Sequence, residues 1–110
     1  MRRGKFNNKP VTVDGHRFAS KAEAKRYGEL KLMENAGKID LLTLQSRYTL
    51  EVNGMRICAY SADFSYRAFP RTANKCIVVE DVKGVRTPVY RIKKKLMKAI
   101  YGIDITEIDA

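Results

Sequence analysis

Histidine occurs once in this 110-residue sequence, cysteine twice and tryptophan not at all. The lone His16 flanks an Asp14-Gly15 turn, and one histidine excludes histidine-based nuclease centres and zinc sites built on histidine pairs. Cys58 and Cys76 lie in apolar, strand-like runs and make no CxxC pair. They read as reduced core thiols of a cytoplasmic protein, not as a redox couple. No apolar run approaches the roughly 18 residues of a membrane helix, and no signal-peptide core opens the chain. Neither secretion nor a membrane partner is expected.

Acidic residues are also scarce, with 12 Asp and Glu against 22 Lys and Arg, giving a net charge of +10. The deficit is concentrated. Arg2, Arg3, Lys5 and Lys9 open the chain with no acid among them, and Arg86, Arg91, Lys93, Lys94, Lys95 and Lys98 form a second acid-free cluster. A surface shaped only for solubility intersperses both signs, so two such patches on one small domain predict a polyanionic partner, a nucleic-acid backbone. Arg2, Arg3 and Lys5 make one clamp, and Arg91, Lys93, Lys94, Lys95 and Lys98 the other. The six tyrosines are spread along core-type segments, which suits packing and not a base-stacking platform.

Residues 1–10 read as a basic flexible arm and 11–110 as one domain, long enough to bury a single core without staples. Val11–Phe18 has the pattern of a small hairpin around Asp14-Gly15. Ser20-Lys-Ala-Glu23 has the form of a capping box, predicting a helix from Ser20 to about Ala36 before Gly37. On it Glu23, Tyr27, Leu30 and Glu34 share one arc, and Leu32 opposite them predicts a helix covered on two sides. Leu44–Val52 and Met55–Tyr66 are strand-like runs joined by Asn53-Gly54, so they should pair antiparallel. A basic loop, Arg67–Lys75, leads to a third strand at about Cys76–Lys83. Thr87-Pro88 starts a second helix that runs to Tyr101, with Val89, Ile92, Leu96, Ala99 and Ile100 as its core stripe. Ile103–Ile108 alternates as a last edge strand. The order is that of an α/β domain: helix, three strands, helix, strand, with a mixed four-stranded sheet.

The third strand carries the chemistry. Side chains alternate along a strand, so Asp81 and Lys83 project together while Val82 points away. They follow the apolar Ile77, Val78 and Val79, and buried charge costs several kcal/mol unless it is paired or bound to metal. Magnesium takes carboxylate oxygens, keeps several waters and needs few protein ligands. Asp63, Asp81 and the Val82 carbonyl would serve for Mg2+ or Mn2+, with Glu23 completing that site or holding a second ion. Lys83 beside them could orient water or stabilise a pentacovalent phosphate. The alternatives are a capping role for Glu23, a lone strand-end acid at Asp63 and an ion pair between Asp81 and Lys83. Glu80 would replace Asp81 as ligand only if the strand were bulged; otherwise it faces the other way and can salt-bridge a basic helix.

This arrangement resembles the PD-(D/E)xK nuclease superfamily over about residues 18–108. The segments FxSKAEAxRYxEL (Phe18–Leu30), Leu44-Gln45, Ala62-Asp63-Phe64 and VEDVKG (Val79–Gly84) look like a family of small phage-encoded endonuclease-like proteins. That family is similar to the endonuclease subunit of heteromeric transposases and, more distantly, to archaeal Holliday junction resolvases. The resemblance implies a restriction-endonuclease-like core with Glu23, Asp63, Asp81 and Lys83 as catalytic residues and Gln45 as an added polar group. Ala62 stands where the motif name has proline. The expected activity is metal-dependent cleavage of branched DNA in the host cytoplasm, by a homodimer, since symmetric junction cleavage needs two active sites. A nicking subunit of a recombination or packaging complex, or a catalytically silent DNA-binding protein on the same fold, are the competing expectations.

Overall fold

The structure, a computed structural model, describes residues 9–69 and 76–110. Arg2, Arg3 and Lys5 of the basic arm, and positions 70–75 of the basic loop, lie outside the described residues. The chain runs β1 (Val11–Val13), β2 (His16–Phe18), α1 (Lys21–Asn35), β3 (Ile39–Val52), β4 (Met55–Ala68), β5 (Ile77–Lys83), α2 (Pro88–Tyr101) and β6 (Thr106–Asp109). β1 and β2 form a two-stranded sheet, and the other strands form a four-stranded sheet in the order β3-β4-β5-β6. β3, β4 and β5 are antiparallel neighbours, while β6 runs parallel to β5. This is the α/β architecture with a mixed sheet that the element order predicts.

Local chemistry sets each boundary near the site. Asn53 and Gly54 both take positive φ, 52° and 79°, the pairing a two-residue hairpin turn demands, so β3 and β4 run as one long ribbon. Ser20 caps α1 by accepting from the Glu23 amide at 3.2 Å. Thr87 caps α2 in the same way, accepting from the Tyr90 amide at 3.1 Å, and Pro88 supplies the fixed φ of the first turn. Gly102 closes α2 in the left-handed conformation at φ 69°.

Two clusters fill the core. One joins Phe18, Tyr27, Leu30, Phe64 and Tyr66 beneath α1; the other joins Leu50, Tyr60, Ala62, Val79, Tyr90, Met97 and Ile105 beneath α2. Ala62 and Phe64 are fully buried on either side of Asp63, so the strand is fixed where that acid emerges. Burial of a side chain such as Phe64 stabilises by about 1.5–3 kcal/mol.

Four expectations need correction. β3 begins at Ile39, not Leu44: a register shift between Asp40 and Thr43 accommodates Leu41 at positive φ, a bulge that interrupts the alternation by which a strand is recognised. β6 is confined to Thr106–Asp109. Leu32 is 71% exposed, so α1 is covered on one side only. On α2 the buried residues are Tyr90 and Met97, whereas Val89 and Ile92 are 61% and 58% exposed and Ala99 is exposed. Leu96 and Ile100 of the expected stripe do pack against the core; the apolar arc is wider than the sheet can cover, and the helix settles on the edge that carries Tyr90 and Met97.

Candidate metal centre and basic grooves

Glu23, Asp63, Asp81, Val82 and Lys83 line one open cleft of about 1070 Å³. They arrive from three elements: the first turn of α1, the middle of β4 and the end of β5. Pairing of β4 with β5 stops at Phe64↔Glu80. Just beyond, the Asp63 carboxylate accepts from the Val82 amide at 2.8 Å, so a side chain extends the ladder where the strands part. Asp81 is 4% exposed, and its carboxylate accepts from the Tyr60 hydroxyl at 2.5 Å. Lys83 Nζ lies 3.5 Å from the same Asp81 oxygen.

The carboxyls are close enough to perturb one another. Asp63 is pushed up to about 7, chiefly by burial; the Val82 amide opposes this, and Asp81 and Glu23 add to it. Asp63 and Asp81 line the same cleft, and the negative charge of Asp81 is one of the influences that raise Asp63. Glu23 is buried and is also raised, mainly by desolvation, against a hydrogen bond from the Ala19 backbone. Gln45 links these acids: its Nε2 donates to Glu23 at 3.3 Å and to Asp63 at 3.5 Å. Gln45 does so from φ 53°, a conformation costly for a non-glycine residue and often retained at functional sites.

Among the described residues no three His, Cys, Asp or Glu side chains are already gathered into a metal cage. Two carboxyls on one cleft, one of them pushed up to about 7, nevertheless fit a hard divalent cation, because magnesium is commonly held by one or two carboxylates and its own waters. Asp63, Asp81 and the Val82 carbonyl would hold it, with Glu23 adjacent.

Glu80 is spoken for elsewhere. It is 1% exposed and accepts from Arg26 Nε at 2.8 Å and Arg26 NH2 at 2.6 Å, and from the Tyr66 hydroxyl. β5 is not bulged against β4 at this point, so Glu80 faces α1 and salt-bridges that helix instead of the cleft. The pair also ties α1, which carries Glu23, to β5, which carries Asp81 and Lys83.

The basic residues divide between two places. Arg17 and Lys21 line the cleft beside Glu23; sequence reasoning passed over them, although each lies within a few positions of the capping box. The α2 cations lie elsewhere. Arg91, Lys94, Lys95 and Lys98 form with Arg86, Asp104 and Glu107 a separate groove of about 560 Å³, and Lys93 is half-buried outside it. Lys94 pairs with Glu107 at 3.1 Å and Lys98 with Asp104 at 2.9 Å. Arg86 reaches Glu107 at 2.8 Å, and this bond leads the causes that hold Glu107 down to about 2. Part of the α2 charge is therefore spent internally. Tyr60 and Tyr90 were likewise read as packing residues; their rings do pack, but their polar tips and faces reach Asp81, Glu107 and Lys83.

The chain belongs to the family described as Protein of unknown function (DUF1064), whose model matches residues 3–107. No curated protein and no solved structure matches it.

Two outcomes follow from the carboxyls. Glu23→Gln is expected to leave the melting temperature unchanged or slightly raised, because the bond from the Glu23 amide to Ser20 does not use the carboxylate. If the chain has the nuclease activity that the resemblance implies, cleavage should fall about 10- to 100-fold, as for other supporting groups of metal sites; full activity in a single-turnover assay would leave Glu23 to folding alone. For Asp63, a folded value near 7 lies above an unfolded value of about 3.9. The protonated form therefore contributes stability that is present below about pH 3.9 and lost as pH rises through about 7. Metal-free protein should accordingly melt lower at pH 8 than at pH 5.5. Added Mg2+ should restore the loss at pH 8 and do little at pH 5.5, where Asp63 must release a proton first.

Proposed function

We infer that this chain is a metal-dependent DNA endonuclease that hydrolyses phosphodiester bonds. The observation that carries the reading is the convergence of Glu23, Asp63, Asp81 and Lys83 on one cleft, with Lys83 Nζ 3.5 Å from Asp81. A bound Mg2+ or Mn2+ would supply neutralisation of phosphate charge and acidification of a coordinated water. The protein's own groups do the rest. Asp63 and Asp81 would present the oxygens that hold the ion, and Gln45 sets Glu23 against Asp63. The Lys83 ammonium, in the same cleft, would stabilise the charge that develops as water adds to phosphorus and the bond to the leaving oxygen breaks. Arg17 and Lys21 at the mouth of the cleft receive the flanking phosphates.

The resemblance to PD-(D/E)xK nucleases supports the same chemistry; a domain this small covers only a short length of duplex, which favours branched DNA, cut by a homodimer acting in the cytoplasm, the host's if the protein is phage-encoded. No helix among the described residues is long and apolar enough to cross a membrane. The decisive experiment offers the purified protein a four-way junction, a flap, a single strand and a linear duplex, with Mg2+, Mn2+ or EDTA. Metal-dependent cleavage of the junction above the duplex is expected. Binding without cleavage of any substrate in either metal would leave a silent DNA-binding protein.

The α2 groove should add backbone contacts, and its pairing pattern selects the residues to test. Among the described residues Arg91 and Lys95 form no ion pair, whereas Lys94 and Lys98 do. Replacing Arg91 and Lys95 with Ala should weaken binding to all DNA sequences. It should also make the log–log salt dependence shallower by about 0.9 for each lost duplex contact. An unchanged slope would place the DNA elsewhere, with the arm residues Arg2, Arg3 and Lys5 as the next candidates.

A further inference from the structure

Lys83 is held in an unusual way for a lysine beside an acid. Its Nζ lies 3.5 Å from Asp81, longer than the 2.7–2.9 Å or so of a contact ion pair. The same Nζ lies 4.2 Å from the centroid of the Tyr90 ring, well within the roughly 6 Å over which an aromatic face attracts a cation. The residue is held at its backbone and at its tip. Thr87 takes the Tyr90 amide at 3.1 Å, and the Tyr90 hydroxyl donates to Glu107 at 2.7 Å. Glu107 is gripped in turn by Arg86 and Lys94. Tyr90 is almost fully buried, so its face cannot swing away from Lys83.

The geometry points to Tyr90 as a positioning residue, whose ring holds the Lys83 ammonium partway between the aromatic face and Asp81. Without the ring, the flexible lysine closes onto Asp81 as a contact pair, occupying a carboxylate that the metal needs and leaving the place where the phosphate reacts. With it, Asp81 keeps its capacity for a cation and Lys83 stays directed into the cleft. The catalytic consequence rests on the nuclease reading above; the ring contact does not.

The test separates the two. Reductive methylation with 13C-formaldehyde labels lysine amines while keeping their charge, and the Lys83 signal is assigned by its absence from Lys83→Arg. In the wild type this signal should be displaced upfield by the ring current of Tyr90. Tyr90→Phe loses the Glu107 bond but keeps the ring in its buried place, and should retain the displacement and cleave within about threefold of wild type. Tyr90→Met, which keeps an unbranched apolar side chain of similar reach, should lose the displacement. Its kcat should fall about 10- to 100-fold, the range for groups that orient a metal site, with KM for DNA unchanged. A wild-type Lys83 signal with no upfield displacement would overturn the proposal, whether or not the protein cleaves DNA. So would a Tyr90→Met variant that turns over at the wild-type rate. A displaced signal in a protein that cleaves nothing would overturn the nuclease reading and leave the ring contact standing.

Discussion

Asp81→Asn and Asp63→Asn should each lower single-turnover cleavage about 10³-fold or more while DNA binding is retained or tightened. Stabilisation by a metal at a developing phosphoryl charge is worth several kcal/mol, and each 1.36 kcal/mol is tenfold in rate. Both acids face the cleft, where a DNA phosphate would also sit. An amide in place of either carboxylate therefore weakens the hold on the ion and removes a repulsion to phosphate together. The variants differ in their structural cost. Asp81 accepts from Tyr60 in a buried setting, and Asn can keep that bond through its carbonyl oxygen. Asp63 accepts from the Val82 amide and could do likewise. Melting temperatures should thus stay near wild type in metal-free buffer at pH 5.5, whereas at pH 8 Asp63→Asn should melt higher than wild type because its amide carries no buried charge; in both variants the Mg2+-dependent rise in melting temperature should disappear. Full turnover by Asp81→Asn would remove the site assignment.

The elements were legible in the sequence wherever local chemistry is decisive. Ser20, Thr87-Pro88 and Gly102 mark helix ends because a cap is satisfied within three or four residues. Asn53-Gly54 marks the hairpin because few other pairs accept two positive φ values. Strand alternation likewise placed Asp81 and Lys83 on one side, and the structure brings them within 3.5 Å. What local pattern cannot supply is which polar tip meets which across the fold. Tyr60 and Asp81 are 21 residues apart, Arg26 and Glu80 54 apart. Tyrosine carries both an apolar ring and a hydroxyl, so its periodicity announces the ring and is silent on the hydroxyl. The α2 stripe holds at Leu96 and Ile100 and fails at Val89, Ile92 and Ala99 for a related reason. Periodicity shows that an apolar arc exists, but the sheet decides which edge of it is covered, and here Tyr90 and Met97 were chosen over Val89 and Ile92.

Lys83→Ala tests the remaining member of the site and should separate from the aspartate variants by what it spares. Loss of one preorganised donor to a developing oxyanion costs about 10²- to 10³-fold in kcat, and a similar fall is expected here. DNA affinity should change little, because Arg17, Lys21 and the α2 groove supply other cations. Metal affinity should hold or improve. The ammonium lies 3.5 Å from Asp81 and competes with any cation that shares that carboxylate, so its removal leaves Asp81 more available. The Mg2+-dependent rise in melting temperature should therefore persist in Lys83→Ala, whereas it vanishes in Asp81→Asn. Lys83→Arg should not rescue the rate fully, since a planar guanidinium does not reproduce a compact ammonium placed over a ring. If Lys83→Ala instead weakens DNA binding while single-turnover cleavage is unchanged, Lys83 is a phosphate contact like Arg17, and the reacting group must be sought elsewhere in the cleft.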